Sequence, residues 1–150
     1  MNPFLVLLST GCYTGYSPKA PGTLGSVLGV ILAWALSFAP PPVYLIAMAL
    51  GIPLAIWVSG RAEQHFGHDA KEIVVDEVIG MIITLAWVPA GLTPIILGFV
   101  FFRFMDITKI FPANYAQHLP GGLGIVADDV VAAIYANFLV HISLVLFLPT

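Results

Sequence analysis

Three clusters of ionisable residues stand out in an otherwise apolar chain: Asp76-Glu77, then Arg103 with Asp106 and Lys109, then Asp128-Asp129. Each falls where an apolar run begins or ends. A charge at the centre of a bilayer costs about 2.5–3.5 kcal/mol on insertion scales, so charges placed at such a boundary read as a site. If the clusters meet in space, two carboxylates about 4 Å apart repel by about 4 kcal/mol at an effective dielectric of 20. Four or five acids together therefore require a cation. Oxygen donors with no thiolate among them and no histidine cage suit a hard ion, Mg2+ above all. Magnesium completes its shell with water and phosphate oxygens, which leaves Arg103, through a bidentate fork, and Lys109 to hold the remaining phosphate oxygens. Carboxylates, metal and cations in that combination describe phosphoryl transfer or phosphate hydrolysis.

Each cluster also has a structural reading. The helix dipole favours acids at a helix N-terminus by about 0.3–1 kcal/mol, which accounts for one of Asp76 and Glu77. Helix capping accounts for one of Asp128 and Asp129. The glycine-rich approach to that second pair, Gly121-Gly122-Leu123-Gly124, either offers backbone N–H groups to an anion or turns the chain between helices. A spacing of three puts Arg103, Asp106 and Lys109 on neighbouring parts of one helix face. A ladder of ion pairs with snorkelling cations explains Lys109 better than Arg103, which follows Phe99-Val100-Phe101-Phe102. In Ser17-Pro18-Lys19-Ala20-Pro21-Gly22-Thr23 two prolines fix a loop, either for rigidity or so that Ser17 and Lys19 touch a headgroup. It lacks the Gly-Lys-Ser/Thr ending of a nucleotide-binding P-loop. Among the histidines, His65 and His68 read as surface residues, His118 as a proton donor near the site, and His141 as a side chain that packs or reaches an interface.

The elements that must position these residues are apolar. Of 150 residues, 9% are charged and 59% hydrophobic, against about 25% charged in an ordinary soluble domain, and the mean hydropathy is +0.99. The net charge of −3 and the absence of a basic stripe exclude a nucleic-acid partner. Apolar runs cover 24–38, 43–58, 73–88, 94–104 and 130–148, with Pro53 inside the second. Several fall short of the roughly 20 residues a straight span needs. The expected architecture is therefore an all-α integral membrane bundle of about four to five short or partly broken transmembrane helices, in a single domain over 1–150. Lys19, Arg61, Lys71 and Lys109 fall in the segment before the first run and in alternate connectors, with Arg103 beside Lys109 at the end of the fourth run, while 40–42 and 89–93 carry no charge. The positive-inside rule then puts the charged motifs on the cytoplasmic side and the C-terminus outside. Cys12, the only cysteine, is expected as a buried, inert thiol. The first ten residues are apolar without a basic start, which suits an interfacial segment better than a signal peptide. Gly25 and Gly29 fit ordinary close helix packing.

Four stretches, 15–26, 76–81, 102–109 and 121–129, resemble in order and spacing the motifs of the phosphatidylglycerophosphatase A family, across about Gly11 to Asn137. The resemblance implies a Mg2+-dependent lipid phosphatase of the bacterial inner membrane, multi-pass, with its active site facing the cytoplasm. Its substrate would be phosphatidylglycerophosphate, converted to phosphatidylglycerol and phosphate. On that reading Asp76, Glu77, Asp128 and Asp129 hold one or two Mg2+ ions and orient a water. Arg103 and Lys109 stabilise the phosphate charge, and Asp106 orients Arg103 or joins the metal shell. Ser17, Lys19, Gly121 and Gly122 would touch the substrate phosphate. One departure is visible: Lys109-Ile110-Phe111-Pro112 stands where the family often has Lys-Pro-aromatic-Pro. A membrane CDP-alcohol phosphotransferase would need aspartates four residues apart behind an Asp-Gly, a spacing not found in 1–150. An ion or proton pathway needs polar residues through the full membrane depth, and the outer half of the runs is expected to offer none.

Overall fold

Prolines open three of the helices, where a missing N–H costs nothing because the first turn has no intrahelical acceptor for it. A computed structural model describes residues 1–147. It is all-α: α1 (Pro3–Ser9), α2 (Pro21–Leu36), α3 (Pro41–Phe66), α4 (Val75–Thr84), α5 (Leu92–Thr108), α6 (Ala113–Ala116) and α7 (Gly122–Phe147). A single 3-10 turn, Thr14–Tyr16, joins α1 to the loop before α2. Residue 148, the expected end of the last run, lies outside the described residues.

Two helices are longer than the hydropathy pattern suggests. α3 continues through the polar residues 59–66 to a length of 26 residues, because Ala62 and Ser59 face inward while Arg61 faces out. α7 begins at Gly122, inside a stretch read as loop, and also spans 26 residues. Gly122 is there for contact: a Cβ on it would lie 2.0 Å from the carbonyl oxygen of Ile56 and 2.4 Å from the amide of Gly60. Asp128 and Asp129 consequently sit in the second turn of α7 and cap nothing.

α4 is the axis of the bundle and packs against α2, α3, α5 and α7. Gly22 of α2 faces Glu77, and Gly29 faces Val78 and Met81, so α2 and α4 run parallel. Gly60 near the end of α3 meets Gly122 at the start of α7, and Lys109 after α5 reaches Asp128. The starts of α2, α4 and α7 therefore gather with the ends of α3 and α5. Every Lys, Arg, Asp and Glu belongs to segments at this end, while the opposite connectors, 37–40 and 85–91, hold none.

The packing is inverted relative to a water-soluble bundle. Small residues such as Ala33, Ala55, Ala132, Ala133 and Ala136 are buried, whereas Val43, Ile46, Leu50, Leu54 and Trp57 form an exposed stripe along α3. Similar stripes run along α2 (Leu24, Val27, Ile31, Trp34) and α5 (Ile96, Val100, Phe104). Contiguous apolar surface of that extent suits hydrocarbon rather than water. By length and composition α3 and α7 can each cross a membrane; 26 residues rise about 39 Å. The expected count of four to five spanning helices is not matched. Among the described residues there are seven α-helices, two of which have spanning length and apolarity. α4, at 10 residues, rises only about 15 Å because it stops where partners from other helices take over its carbonyls.

Those partners correct a second expectation. The end away from the charges does hold polar side chains; Tyr44, Asn137 and His141 are tied to backbone, while the buried Thr84 hydroxyl has no partner. Tyr44 Oη donates to the Ile82 carbonyl at 2.6 Å. Asn137 Nδ2 donates to the carbonyls of Thr84 at 2.9 Å and Ala86 at 3.0 Å. His141, expected to pack or to reach an interface, has Nε2 at 3.4 Å from the Ala86 oxygen. Cys12 is likewise not buried: it takes a left-handed φ of 55° in the turn after α1 and is exposed.

Candidate active site

The first turn of α4 carries Asp76 and Glu77, and the second turn of α7 presents Asp129 to them. One carboxylate oxygen from each lies within 4.8 Å of the other two. All three side chains are buried or nearly so. Asp76 Oδ1, Glu77 Oε2 and Asp129 Oδ2 are fully enclosed and have no hydrogen-bond partner. At such separations a pair of unit charges repels by about 3–4 kcal/mol at an effective dielectric of 20. Buried acceptors without donors are rare in folded proteins and call for a ligand.

Arg103, near the end of α5, balances one side of this trio. Its Nη1 lies 2.7 Å from Asp106 Oδ2 and 3.8 Å from Glu77 Oε1, and donates to Ser26 Oγ at 3.5 Å. Asp106 is also close enough to Asp129 to interact with it. The i,i+3 spacing of Arg103 and Asp106 thus forms the expected pair, and the buried anion that Arg103 needed is Glu77. Gly22 makes room for both: a Cβ there would sit 2.2 Å from Glu77 Oε1 and 3.4 Å from Arg103 Nη1.

Asp128 does not join the trio. Adjacent residues on a helix point about 100° apart, so Asp128 turns from Asp129 toward Lys109, whose ammonium donates to its Oδ2. Lys109 is held after α5 in a left-handed conformation. The pair borders a polar cleft of about 180 Å3 lined by His68, Asp69, Gln117 and His118. His68 there is bonded to Glu63, which raises its pKa.

The remaining expected residues stand elsewhere. Ser17 Oγ closes its own loop by donating to the Lys19 carbonyl at 2.9 Å. Lys19 is exposed and, among the described residues, makes no ion pair. Gly122 is buried against α3, and the space beside Gly121 is bounded by a Glu63 oxygen, 3.6 Å from where its Cβ would be. An acid and a packed backbone give an anion no cradle there. Sequence reasoning missed Ser26 and Gly22. The signal available was that Gly22, Gly25 and Ser26 are small residues on one face of α2, leaving space for another helix's side chains.

The donor set is oxygen only: Asp76, Glu77 and Asp129 each bring one carboxylate oxygen to a spacing one ion can bridge, and each also has a buried oxygen without a partner. It fits a hard divalent cation.

Comparison with known proteins adds the lineage. A family model described as phosphatidylglycerophosphatase A matches residues 7–144. A phosphatidylglycerophosphatase A of Haemophilus influenzae is 40% identical over 144 residues, covering 93% of this chain and 88% of that protein. One of Escherichia coli K12 is 36% identical over 131 residues, covering 85% and 76%. A Bacteroides thetaiotaomicron protein, provisionally assigned as a phosphatidylinositol-3-phosphatase, is 34% identical over 151 residues, covering 92% of each chain. No solved structure matches. The matched span includes every residue of the carboxylate trio and of the Arg103 and Lys109 pairs, so the chain belongs to the phosphatidylglycerophosphatase A family.

Proposed function

We propose that this chain hydrolyses the terminal phosphate monoester of phosphatidylglycerophosphate, releasing phosphatidylglycerol and phosphate, at a Mg2+ site made by Asp76, Glu77 and Asp129. The observation that carries the reading is the three buried, unpartnered carboxylate oxygens beside Arg103. When bound, Mg2+ supplies charge neutralisation and a water of lowered pKa. The chain's own residues do the rest. Arg103, fixed by Asp106 and Glu77, presents its remaining N–H groups to phosphate oxygens, where charge accumulates as the water attacks phosphorus. The bond from phosphorus to the glycerol oxygen breaks, and that oxygen takes up a proton, a role we assign to His118 in the cleft beside Asp128. Lys109 holds Asp128 and brings a positive charge to the same cleft.

Membership in the family and the exposed apolar stripes support a multi-pass protein of a bacterial inner membrane. The gathering of all five Lys and Arg residues at one end supports a site facing the cytoplasm.

The test is phosphate release by the purified protein in mixed micelles, from phosphatidylglycerophosphate and from phosphatidylinositol 3-phosphate. Each lipid is assayed with Mg2+, with chelator, and with Mg2+ restored. Thermal unfolding under the same conditions reads metal binding without turnover. Release from the first lipid alone, lost with chelator and regained with Mg2+, together with a Mg2+-dependent rise in Tm, is the expected result. Full activity in chelator overturns the metal assignment, and preference for the inositol lipid overturns the substrate.

A further inference from the structure

We propose that residues 107–119, from the last turn of α5 through α6, form a flap seated in the phospholipid layer at the boundary of acyl chains and headgroups. The inference rests on the apolar surface of the bundle and not on the reaction proposed above. The connectors from α3 to α4 and from α5 to α7 both stand at the charged end, and they differ in kind. The first holds His68, Asp69 and Lys71, all exposed, a composition suited to water. In the second, residues 110–127 contain no Asp, Glu, Lys or Arg. Ile107, Phe111 and Tyr115 are nevertheless 71%, 68% and 67% exposed. Phe111 and Tyr115 meet edge to face with ring centroids 5.6 Å apart. Exposed aromatic and aliphatic side chains on an uncharged segment suit the interfacial zone of a bilayer.

Two bonds set the depth of the flap. Lys109 donates to Asp128, and Tyr135 Oη donates to the Phe111 carbonyl at 2.9 Å. Tyr135 follows Asp129 by six positions on α7, about 9 Å further into the bundle, and helical side chains lean back toward the N-terminus. Phe111 is therefore held near the depth of the carboxylates, and the chain climbs from there through α6 to the start of α7. Continuity with the lipid-facing surface selects the occupant. The exposed stripe Ile96, Val100 and Phe104 of α5 runs on to Ile107 and Phe111 at spacings of three or four. On α7, Ile134 and Phe138 beside Tyr135 are exposed as well. On the inner side of the flap, Gln117 and His118 line the polar cleft together with Asp128. The same short segment thus joins the apolar surface of the bundle to the wall of the cleft.

Cys12 is the only cysteine, so the full chain carrying Cys12→Ser accepts a label at one chosen position. A nitroxide is attached through Tyr115→Cys, through Phe111→Cys or, for comparison, through Lys71→Cys, all three at exposed positions. Each protein is reconstituted in vesicles of dioleoyl phosphatidylcholine. Power saturation with oxygen, which concentrates among acyl chains, and with a water-soluble nickel chelate reads how deep the nitroxide lies. The expected depth at positions 111 and 115 is about 5–10 Å inside the phosphate plane, the range for an interfacial apolar face. At position 71 the nitroxide lies outside that plane. Access of the nickel chelate at 111 and 115 equal to that at 71 overturns the proposal and assigns the segment to water. Spin–spin broadening at 111 and 115 that disappears on dilution with unlabelled protein, with neither reagent gaining access, overturns it in favour of a second copy of the chain.

Discussion

The two ends of α4 solve opposite problems. At its C-terminal end the helix leaves carbonyls without intrahelical donors, and Tyr44 and Asn137 reach across from α3 and α7 to supply them. At its N-terminal end the free N–H groups already favour negative charge, yet the chain adds three carboxylates and leaves one oxygen of each without a donor. The last α4 carbonyls are matched with donors at the neutral end, where the buried Thr84 hydroxyl goes without a partner, whereas three carboxylate oxygens are left unmatched at the charged end. Polarity inside an apolar bundle is thus informative mainly when it is incomplete.

The comparison can be broken most decisively at the charged end. Asp129→Asn and Asp76→Asn each remove a carboxylate from the trio. Each should lower kcat by about 10^3-fold, a loss of about 4 kcal/mol, while circular dichroism shows the helices intact and Tm does not fall. Retained turnover would make this end as structural as the other. Next comes Gly22→Ala, whose methyl would crowd Glu77 and Arg103 at once. We expect kcat/KM to fall by about 30-fold, or about 2 kcal/mol, with the Mg2+ concentration needed for half-maximal rate shifted upward.

At the neutral end the effects should move to stability. Asn137→Ala leaves two carbonyls without their donor and should cost about 2 kcal/mol, read as a lower Tm in detergent with kcat unchanged. Tyr44→Phe removes one hydrogen bond and should cost about 1 kcal/mol. The mildest effect is expected at the rim of the charged end, where Glu63 raises the pKa of His68. Their bond is complete below the ordinary histidine pKa of about 6.5 and is lost as pH rises through the raised value. An NMR titration should place the His68 midpoint above that of Glu63→Gln, with activity unaltered.

Much of this was legible in the residues. The acids at run boundaries pointed to the candidate site, since dipole and capping accounted for only one acid of each pair, and Arg103 after four apolar residues pointed to a buried anion. Helix limits were less legible. Residues 59–66 lower the local hydropathy without breaking the helix, so α3 looked shorter than it is. Gly121 through Gly124 read as a turn, although Gly122 serves helix contact, and Asp128 and Asp129 were then misread as neighbours of a helix start. That error also hid their divergence, because only inside a helix do adjacent residues separate by about 100°. The Ser26–Arg103 contact joins positions 77 apart and leaves no trace in periodicity. Asn137 sits in a run that otherwise reads as lipid-facing, and its task depends on where α4 stops.

The brevity of α4 bears on how the protein is made. A segment of 10 residues is too short to partition stably into a bilayer by itself, and α7 meets both of its ends, Asn137 bonding its last carbonyls and Asp129 completing the carboxylate cluster at its start. α7 follows α4 in the chain, so the contacts it makes at both ends of the central segment form only after residues 122–147 have been made. A nascent chain halted before residue 122 would therefore lack Asp129 and carry an incomplete carboxylate cluster.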